Sequence, residues 1–391
     1  MGRILLTWEL GLNLGHLTRL LRVAQQLKKD GHTVFVAARD LQAATAVLGP
    51  AGIPFVQAPY LPTGVALAHR PASYADILLS QGWSDRRALW GLIQAWINLL
   101  QMFEPHRLVL DYSPTASLAA RIAKIPTTLV GNGFELPPLT TPLPAFPGFS
   151  WATAERAHQS ESIAVANANS VLGAYRAPPI EALRDLFAGG PVLLATVPEL
   201  DHYGARQDAR YIGPLLGKLS APRVDWPKGE GPRIFACVRP DTRHAAALLK
   251  ALSGMSDARI ICVAPGFKAS QLHPLRKEHI RFALGPVELQ PVLDSDLCIS
   301  YGAEGTMLSF LMAGVPQLIS PWHVETYMAA RRIQNAGMGE ALADQTDEAQ
   351  IVETIWRLTG DNEMRDRTRA FATRAAGWLS DPNQLYGDLA A

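Results

Sequence analysis

The residues that could do chemistry concentrate between Cys298 and Leu342, in CISYGAEGTMLSFLMAGVPQLISPWHVETYMAARRIQNAGMGEAL. The run reads as strand, glycine-containing turn, helix, short strand, loop and helix. The apolar CIS stretch delivers the chain to the turn Gly302–Gly305, where small residues let the backbone close on a ligand. Thr306 is expected to begin the next helix, whose free N–H groups and positive dipole end favour an anion. A second loop, Pro321 to Tyr327, follows the strand ending PQLIS and is expected to open beside the first, where such sheets place ligands. The chemistry implied is phosphate binding, and the pattern points to a nucleotide-diphosphate site in the C-terminal half. A Gly-x-x-Gly turn alone is also an ordinary turn; the ordered segment as a whole carries the weight.

The elements that must position these loops follow from hydrophobic periodicity. RILLT reads as a strand, Leu17 to Lys29 as a helix with Leu20, Ala24 and Leu27 on one face, and TVFVAA as the next strand. RLVLD, a helix through Ala116 to Ala123, and TTLV continue the alternation. The second half repeats it with RIFACV, a helix near Ala245 to Leu252, RIICVA, IRFAL, DLCIS and QLIS. Strands alternating with helices imply parallel sheets covered on both faces, with right-handed crossovers. The stretch HYGARQDARYIGPLLGKLSAPRVDWPKGEGPR is rich in Gly, Pro and charge and reads as a linker, with a boundary near Gly213–Pro214. The expected domains are 1–212, 213–375, and a helical tail 376–391 that packs back on the first. A cleft between two such domains is where a ligand is expected.

A chain of 391 residues exceeds one ordinary core, and 48% hydrophobic with 18% charged residues describes a well-buried globular protein. The net charge of +1 provides no global field to recruit nucleic acid or acidic lipid. Cys237, Cys262 and Cys298 lie in strand-like runs without metal-ligand spacing and read as buried reduced thiols, which fits a cytoplasmic protein. The start, MGRILLTWEL, lacks the h-region of a signal peptide, and no apolar run reaches the length of a membrane span. Pro137 to Phe149 is a Pro-rich loop that either borders a substrate or is a plain surface connection. Asp85 to Phe103 is Trp-rich, with Leu89, Ile93, Trp96 and Leu100 at helical spacing. That stripe reads first as core packing; the alternatives are an apolar substrate pocket or a peripheral membrane contact through Arg86 and Arg87.

At this level the chain resembles the GT-B glycosyltransferases, among them the UDP-glucosyl- and glucuronosyltransferases and the antibiotic glycosyltransferases. The resemblance rests on three ordered marks. The first is LGHLTRLLRVAQQLKKDGHTVFVAARD, similar to the family's Gly-His before the first helix and Gly-His before the second strand. The second is ELDHYGARQDARYIGP, similar to its connection ending Tyr-x-Gly-Pro. The third is the opening segment, similar to HGGxGTxxEAL, GVP, P-x-x-x-DQ and NA. The resemblance implies an α/β protein of two Rossmann-like parallel-sheet domains facing an interdomain cleft. It also implies an inverting, metal-independent transferase that needs no cofactor and moves a sugar from a UDP- or dTDP-sugar donor to a small-molecule or lipid-like acceptor.

The resemblance assigns roles residue by residue. Gly15 and His16 fall at the opening Gly-His, and His16 is the candidate base that removes the acceptor proton. Asp111, at the end of RLVLD, matches the carboxylate that orients that histidine; Glu9 is the alternative base. On the donor side Tyr301 stands where the family has a phosphate-binding His. Gly302 and Ala303 replace its two glycines, and Gly305 and Thr306 are kept. Ser309 falls where a Glu holds the ribose, and Glu325 and Thr326 stand where Asp-Gln grips the sugar. Apart from the resemblance, and where relatives often have small residues, Arg239 follows the strand RIFACV and either suits a diphosphate bidentately or pairs with Asp241. Val287 lies in the turn where the family's main chain meets the base. The same fold carries nucleotide-sugar 2-epimerases and related hydrolases, and the altered donor residues are also what a non-catalytic nucleotide- or glycan-binding protein would carry.

Overall fold

The computed structural model describes residues 1–12, 14–217 and 221–379. These fall into two compact units, 1–217 and 221–379. From residue 380 onward the expected C-terminal tail lies outside the described residues.

The first unit runs β1 (Arg3–Trp8), α1 (Gly15–Lys29), β2 (Thr33–Ala38), α2 (Leu41–Val47), β3 (Phe55–Gln57), α3 (Tyr74–Leu78) and α4 (Arg86–Phe103). It continues β4 (Arg107–Asp111), α5 (Pro114–Ala123), β5 (Thr127–Gly131), α6 (Ala154–Ala174), β6 (Val192–Leu194) and β7 (Arg210–Tyr211). The strands are parallel and ordered β3-β2-β1-β4-β5-β6-β7. Helices on the faces explain why the strands read as continuous apolar runs rather than alternating ones; every residue of β5 is buried. Leu20, Ala24 and Leu27 of α1 are fully buried, as the helical period requires. The Trp-rich helix α4 starts where Asp85 Oδ1 accepts from the backbone N–H of Arg87 and Ala88, at 2.7 and 3.3 Å. Its stripe Leu89, Ile93, Trp96 and Leu100 is buried in the unit's core. The Pro-rich loop is pinned rather than loose: Leu143 N–H donates to Glu161 Oε2 at 2.7 Å and Phe146 N–H to the Ala72 carbonyl at 2.8 Å.

The second unit runs β8 (Arg233–Cys237), α7 (Ala245–Gly254), β9 (Arg259–Val263), α8 (Ala269–Leu272), β10 (Ile280–Ala283), β11 (Leu297–Ser300) and α9 (Glu304–Met312). It ends with β12 (Gln317–Ile319), α10 (Val324–Asn335), β13 (Gly339–Ala341), α11 (Glu348–Gly360) and α12 (Asn362–Ala375). Its strands are also parallel, ordered β10-β9-β8-β11-β12-β13. Helix α9 begins at Glu304, two residues before the expected Thr306; a carboxylate in the first turn is favoured by the helix dipole. The three cysteines are free thiols, Cys262 and Cys298 buried and Cys237 partly so. Among the described residues no helix is long and apolar enough to cross a membrane.

In each sheet the strand order reverses once, between β1 and β4 and between β8 and β11. At such a switch point the crossovers on either side leave on opposite faces, so the loops after the two central strands diverge and open a crevice at their carboxyl ends. The two sheets thus mark two places for chemistry, each within its own unit. In the second, Phe310 of α9 is fully buried and stacks on Phe235 of β8 with ring centroids 4.7 Å apart. Phe310→Ala is expected to destabilise this unit by about 3–5 kcal/mol, read as a lower denaturant midpoint, whereas Phe310→Leu retains most of the stability.

Candidate active site

In the first unit the register of β1 on β4 sets Trp8 opposite Asp111, so the loop after Trp8 and the last residue of β4 meet at the switch point. Leu10 N–H donates to the Tyr112 carbonyl at 3.0 Å and ties that loop to the next strand's end. Tyr112 itself sits at φ +48°, a conformation non-glycine residues adopt with strain. The first turn of α1 then carries His16 back over Asp111. His16 Nδ1 lies 2.7 Å from Asp111 Oδ1, and its ring stacks on Trp8 with centroids 5.2 Å apart. A carboxylate on Nδ1 sets the tautomer with the lone pair on Nε2. Nε2 lies against Gly11, whose φ is +81° and whose absent Cβ would fall 2.4 Å away. Glycine is therefore needed there twice over, for its backbone conformation and for the space beside Nε2.

Two further charges complete the cluster. Arg19 is one turn along α1 from His16, on the same face. Its Nη1 donates to both Asp111 oxygens at 3.1 Å and to Glu135 Oε2 at 2.6 Å. Glu135 Oε1 is 3.6 Å from His16 Nδ1. The loop GNGFEL after β5 presents Glu135 through an Asx turn: Asn132 Oδ1 accepts from the N–H of Phe134 at 2.9 Å and of Glu135 at 3.0 Å. In return Asn132 N–H donates to Glu135 Oε2 at 2.8 Å. All four residues are buried, Asp111 completely. Burial opposes the His16 imidazolium, but Asp111 and Glu135 outweigh it and raise the pKa above its ordinary value. Burial lifts the Asp111 carboxyl against the pull of Arg19 and His16. Glu135 is desolvated too, yet Arg19 and His16 hold its carboxyl below the usual range.

His16, Asp111 and Glu135 bring ligand atoms within 4.8 Å of one another, a spacing a metal ion could use. Here the cation between the carboxylates is the Arg19 guanidinium, and Nδ1 is already engaged with Asp111. Glu9, the alternative base, is buried and engaged by the start of α5. Its Oε2 accepts from the backbone N–H of Thr115 and Ala116 at 3.0 and 3.2 Å, capping α5. Gly15 is the first residue of α1.

In the second unit the switch point gathers Arg239, Tyr301 and the start of α9. Gly302 turns the chain at φ +89°, where an added Cβ would press on Thr326 Cβ at 3.1 Å. Its N–H donates to Ser300 Oγ at 3.2 Å. Ala303 is the N-cap of α9, with Gly305 and Thr306 in its first turn, where backbone N–H groups have no intrahelical acceptor. Arg239 is paired bidentately with Asp241, both bonds at 3.0 Å. Its guanidinium lies 5.7 Å from the Tyr301 ring centroid and 5.6 Å from that of Trp322. Ser309 Oγ donates back to the Gly305 carbonyl at 2.7 Å. Thr326 Oγ1 accepts from Trp322 and His323 N–H at 3.0 and 3.2 Å, so it caps α10, with Glu325 in that helix's first turn. The Val287 side chain is buried in the unit's core.

The sequence reading missed Arg19, Glu135 and Gly11, and in the second unit His244 and Ser320. His244 Nδ1 is 2.9 Å from Ser320 Oγ and Nε2 is 3.0 Å from the Ala343 carbonyl. The i, i+3 spacing of His16 and Arg19 was a usable signal; the Glu135 partnership, across 116 residues, was not.

Residues 247–385 match the family model described as the C-terminal domain of erythromycin biosynthesis protein CIII-like proteins. A comparison with curated protein sequences finds no match. Among solved structures, the calicheamicin glycosyltransferase CalG4 is 18% identical with a TM-score of 0.70, over 99% of this chain and 97% of that one. The spinosyn rhamnosyltransferase SpnG, complexed with thymidine diphosphate, is 17% identical with a TM-score of 0.68, over 96% of each chain. The glycosyltransferase VinC, in complex with dTDP, is 16% identical with a TM-score of 0.69, over 96% of this chain and 95% of that one. The chain has the two-domain α/β GT-B fold these structures share.

The Glu9 carboxyl provides a stability test. Burial raises its pKa from 4.5 to about 7 despite the helix-start N–H groups and Arg39. Between those values the folded state binds more protons at Glu9 than the unfolded state, so Glu9's contribution to stability falls as pH rises through the window. The stability of the native chain relative to Glu9→Gln is expected to decline by about 3 kcal/mol from the low-pH to the high-pH side. Paired denaturant titrations at several pH values check this; parallel curves would refute it.

Proposed function

We propose that the chain is an inverting, metal-independent glycosyltransferase that uses a nucleotide-diphosphate sugar, UDP- or dTDP-linked, and a small-molecule or lipid-like acceptor. The observation that carries the reading is the 2.7 Å contact of His16 Nδ1 with the buried Asp111 at the sheet's switch point. This arrangement orients Nε2 as the base. In the proposed step Nε2 takes the proton of an acceptor hydroxyl while its oxygen attacks the anomeric carbon. The bond from that carbon to the diphosphate oxygen breaks, and the diphosphate leaves with the electron pair. Asp111 stabilises the imidazolium that forms. In the second unit, the first-turn N–H groups of α9 and the Arg239–Tyr301–Trp322 stack are the candidates for holding the diphosphate. The family match over residues 247–385 and neighbours bound to thymidine diphosphate support the donor class.

A second reading, nucleotide binding without transfer, is favoured by one observation: Ser309 and Thr326, at positions where the family binds ribose and sugar, satisfy local backbone groups instead. Calorimetry with UDP- and dTDP-sugars, followed by product analysis with an acceptor panel, separates the two, since binding without turnover supports the second. Under the transferase reading, His16→Ala is expected to lower kcat/KM by about 10²–10⁴-fold, and Asp111→Asn to lower kcat with little change in donor KM. Unchanged transfer by both variants would sink the assignment of the base.

A further inference from the structure

We propose that Arg19 and Glu135 are positioning residues for His16: they hold a second carboxylate, charged and desolvated, against Nδ1, so that the imidazolium formed on proton transfer faces two anions. This rests on the reading of His16 as the base. The two oxygens of Glu135 do different things. Oε2 is spent on Arg19 Nη1 at 2.6 Å and on Asn132 N–H at 2.8 Å. Oε1 is the atom 3.6 Å from His16 Nδ1. A purely structural Arg–Glu pair would tie α1 to the loop after β5 without presenting that second oxygen to the imidazole.

The charge arithmetic gives the arrangement its consequence. Asp111, Glu135 and Arg19 sum to −1, so protonation of His16 brings the buried cluster to zero. Two carboxylates this close and this desolvated would not both stay ionised alone. Arg19, with one nitrogen on both, is what keeps them so. It opposes the imidazolium directly, yet it preserves the two anions that favour it. The groups facing His16 are Asp111 and Tyr112 from β4 and its end, Glu135 from the loop after β5, Arg19 from its own helix and the Trp8 indole from β1.

The test is an NMR titration of the His16 ring in the full chain, with its resonance assigned by loss in His16→Gln. Glu135→Gln keeps an oxygen for Asn132 N–H and is expected to lower the His16 midpoint by about one pH unit. The acid limb of kcat/KM should move the same way. Arg19→Met leaves two buried carboxylates without a counter-charge and is expected to fold poorly. The double variant Arg19→Met/Glu135→Gln removes both charges and is expected to fold, with His16 titrating above the Glu135→Gln midpoint. An unshifted midpoint in Glu135→Gln overturns the proposal, whatever the activity. A shifted midpoint together with full transfer by His16→Ala would leave the charge network standing and remove only the base assignment.

Discussion

One nitrogen of Arg19, shared between two buried carboxylates, is the interaction on which the first unit's site depends. Removing either side of such a pair leaves a charge stranded away from water, at a cost of about 3–5 kcal/mol. Three segments far apart in sequence therefore have to meet correctly: the first turns of α1, the end of β4, and the loop after β5. A network of this kind adds little net stability over a well-packed apolar core. Its effect is definition. Once the guanidinium is seated, Asp111 and Glu135 have fixed places, and the imidazole between Trp8 and Asp111 has one orientation.

Topology supplies the place and local chemistry the detail. The strand reversal between β1 and β4 brings the loop after Trp8 beside Asp111 irrespective of side chains. What is particular to this chain is how the loops are held. Glu9 caps α5 from the β1 loop, Asn132 folds the β5 loop on itself, and Gly11 stays small beneath Nε2. The second unit repeats the topology with different content. Its crevice loops bring together Arg239, Tyr301 and Trp322, and the unit also holds the buried His244–Ser320 pair.

How much of this could be read from the sequence follows from the range of the interactions. Alternating apolar runs and amphipathic helices are local, so the parallel sheets and the burial of Leu20, Ala24, Leu27 and the α4 stripe were legible. His16 and Asp111 were legible only because a family register linked them; the hydrogen bond itself joins residues 95 apart. Arg19 stood in plain view one turn from His16, but as an ordinary helical arginine until its partner Glu135 is known. Glu9 was misleading for a related reason. A carboxylate in a loop near a candidate base looks available, and nothing local announces that a helix start 106 residues later will use it.

The contrast between the two units bears on donor recognition. In the first, each charged group in the site is satisfied by another member of the same cluster, and on the transferase reading the Nε2 edge of the imidazole is where an acceptor proton would go. In the second, groups that the family resemblance would assign to sugar and ribose close their own helices: Ser309 bonds within α9 and Thr326 caps α10. Arg239 is matched by Asp241 before any ligand arrives. A diphosphate would therefore have to compete with a carboxylate for that guanidinium, and its oxygen pair can match the bidentate fork. A phosphate oxygen pair has that geometry, whereas a neutral sugar hydroxyl does not. On the transferase reading, a diphosphate that engaged Arg239 would do so in place of the Asp241 carboxylate, a charge-for-charge exchange that a neutral sugar hydroxyl could not make.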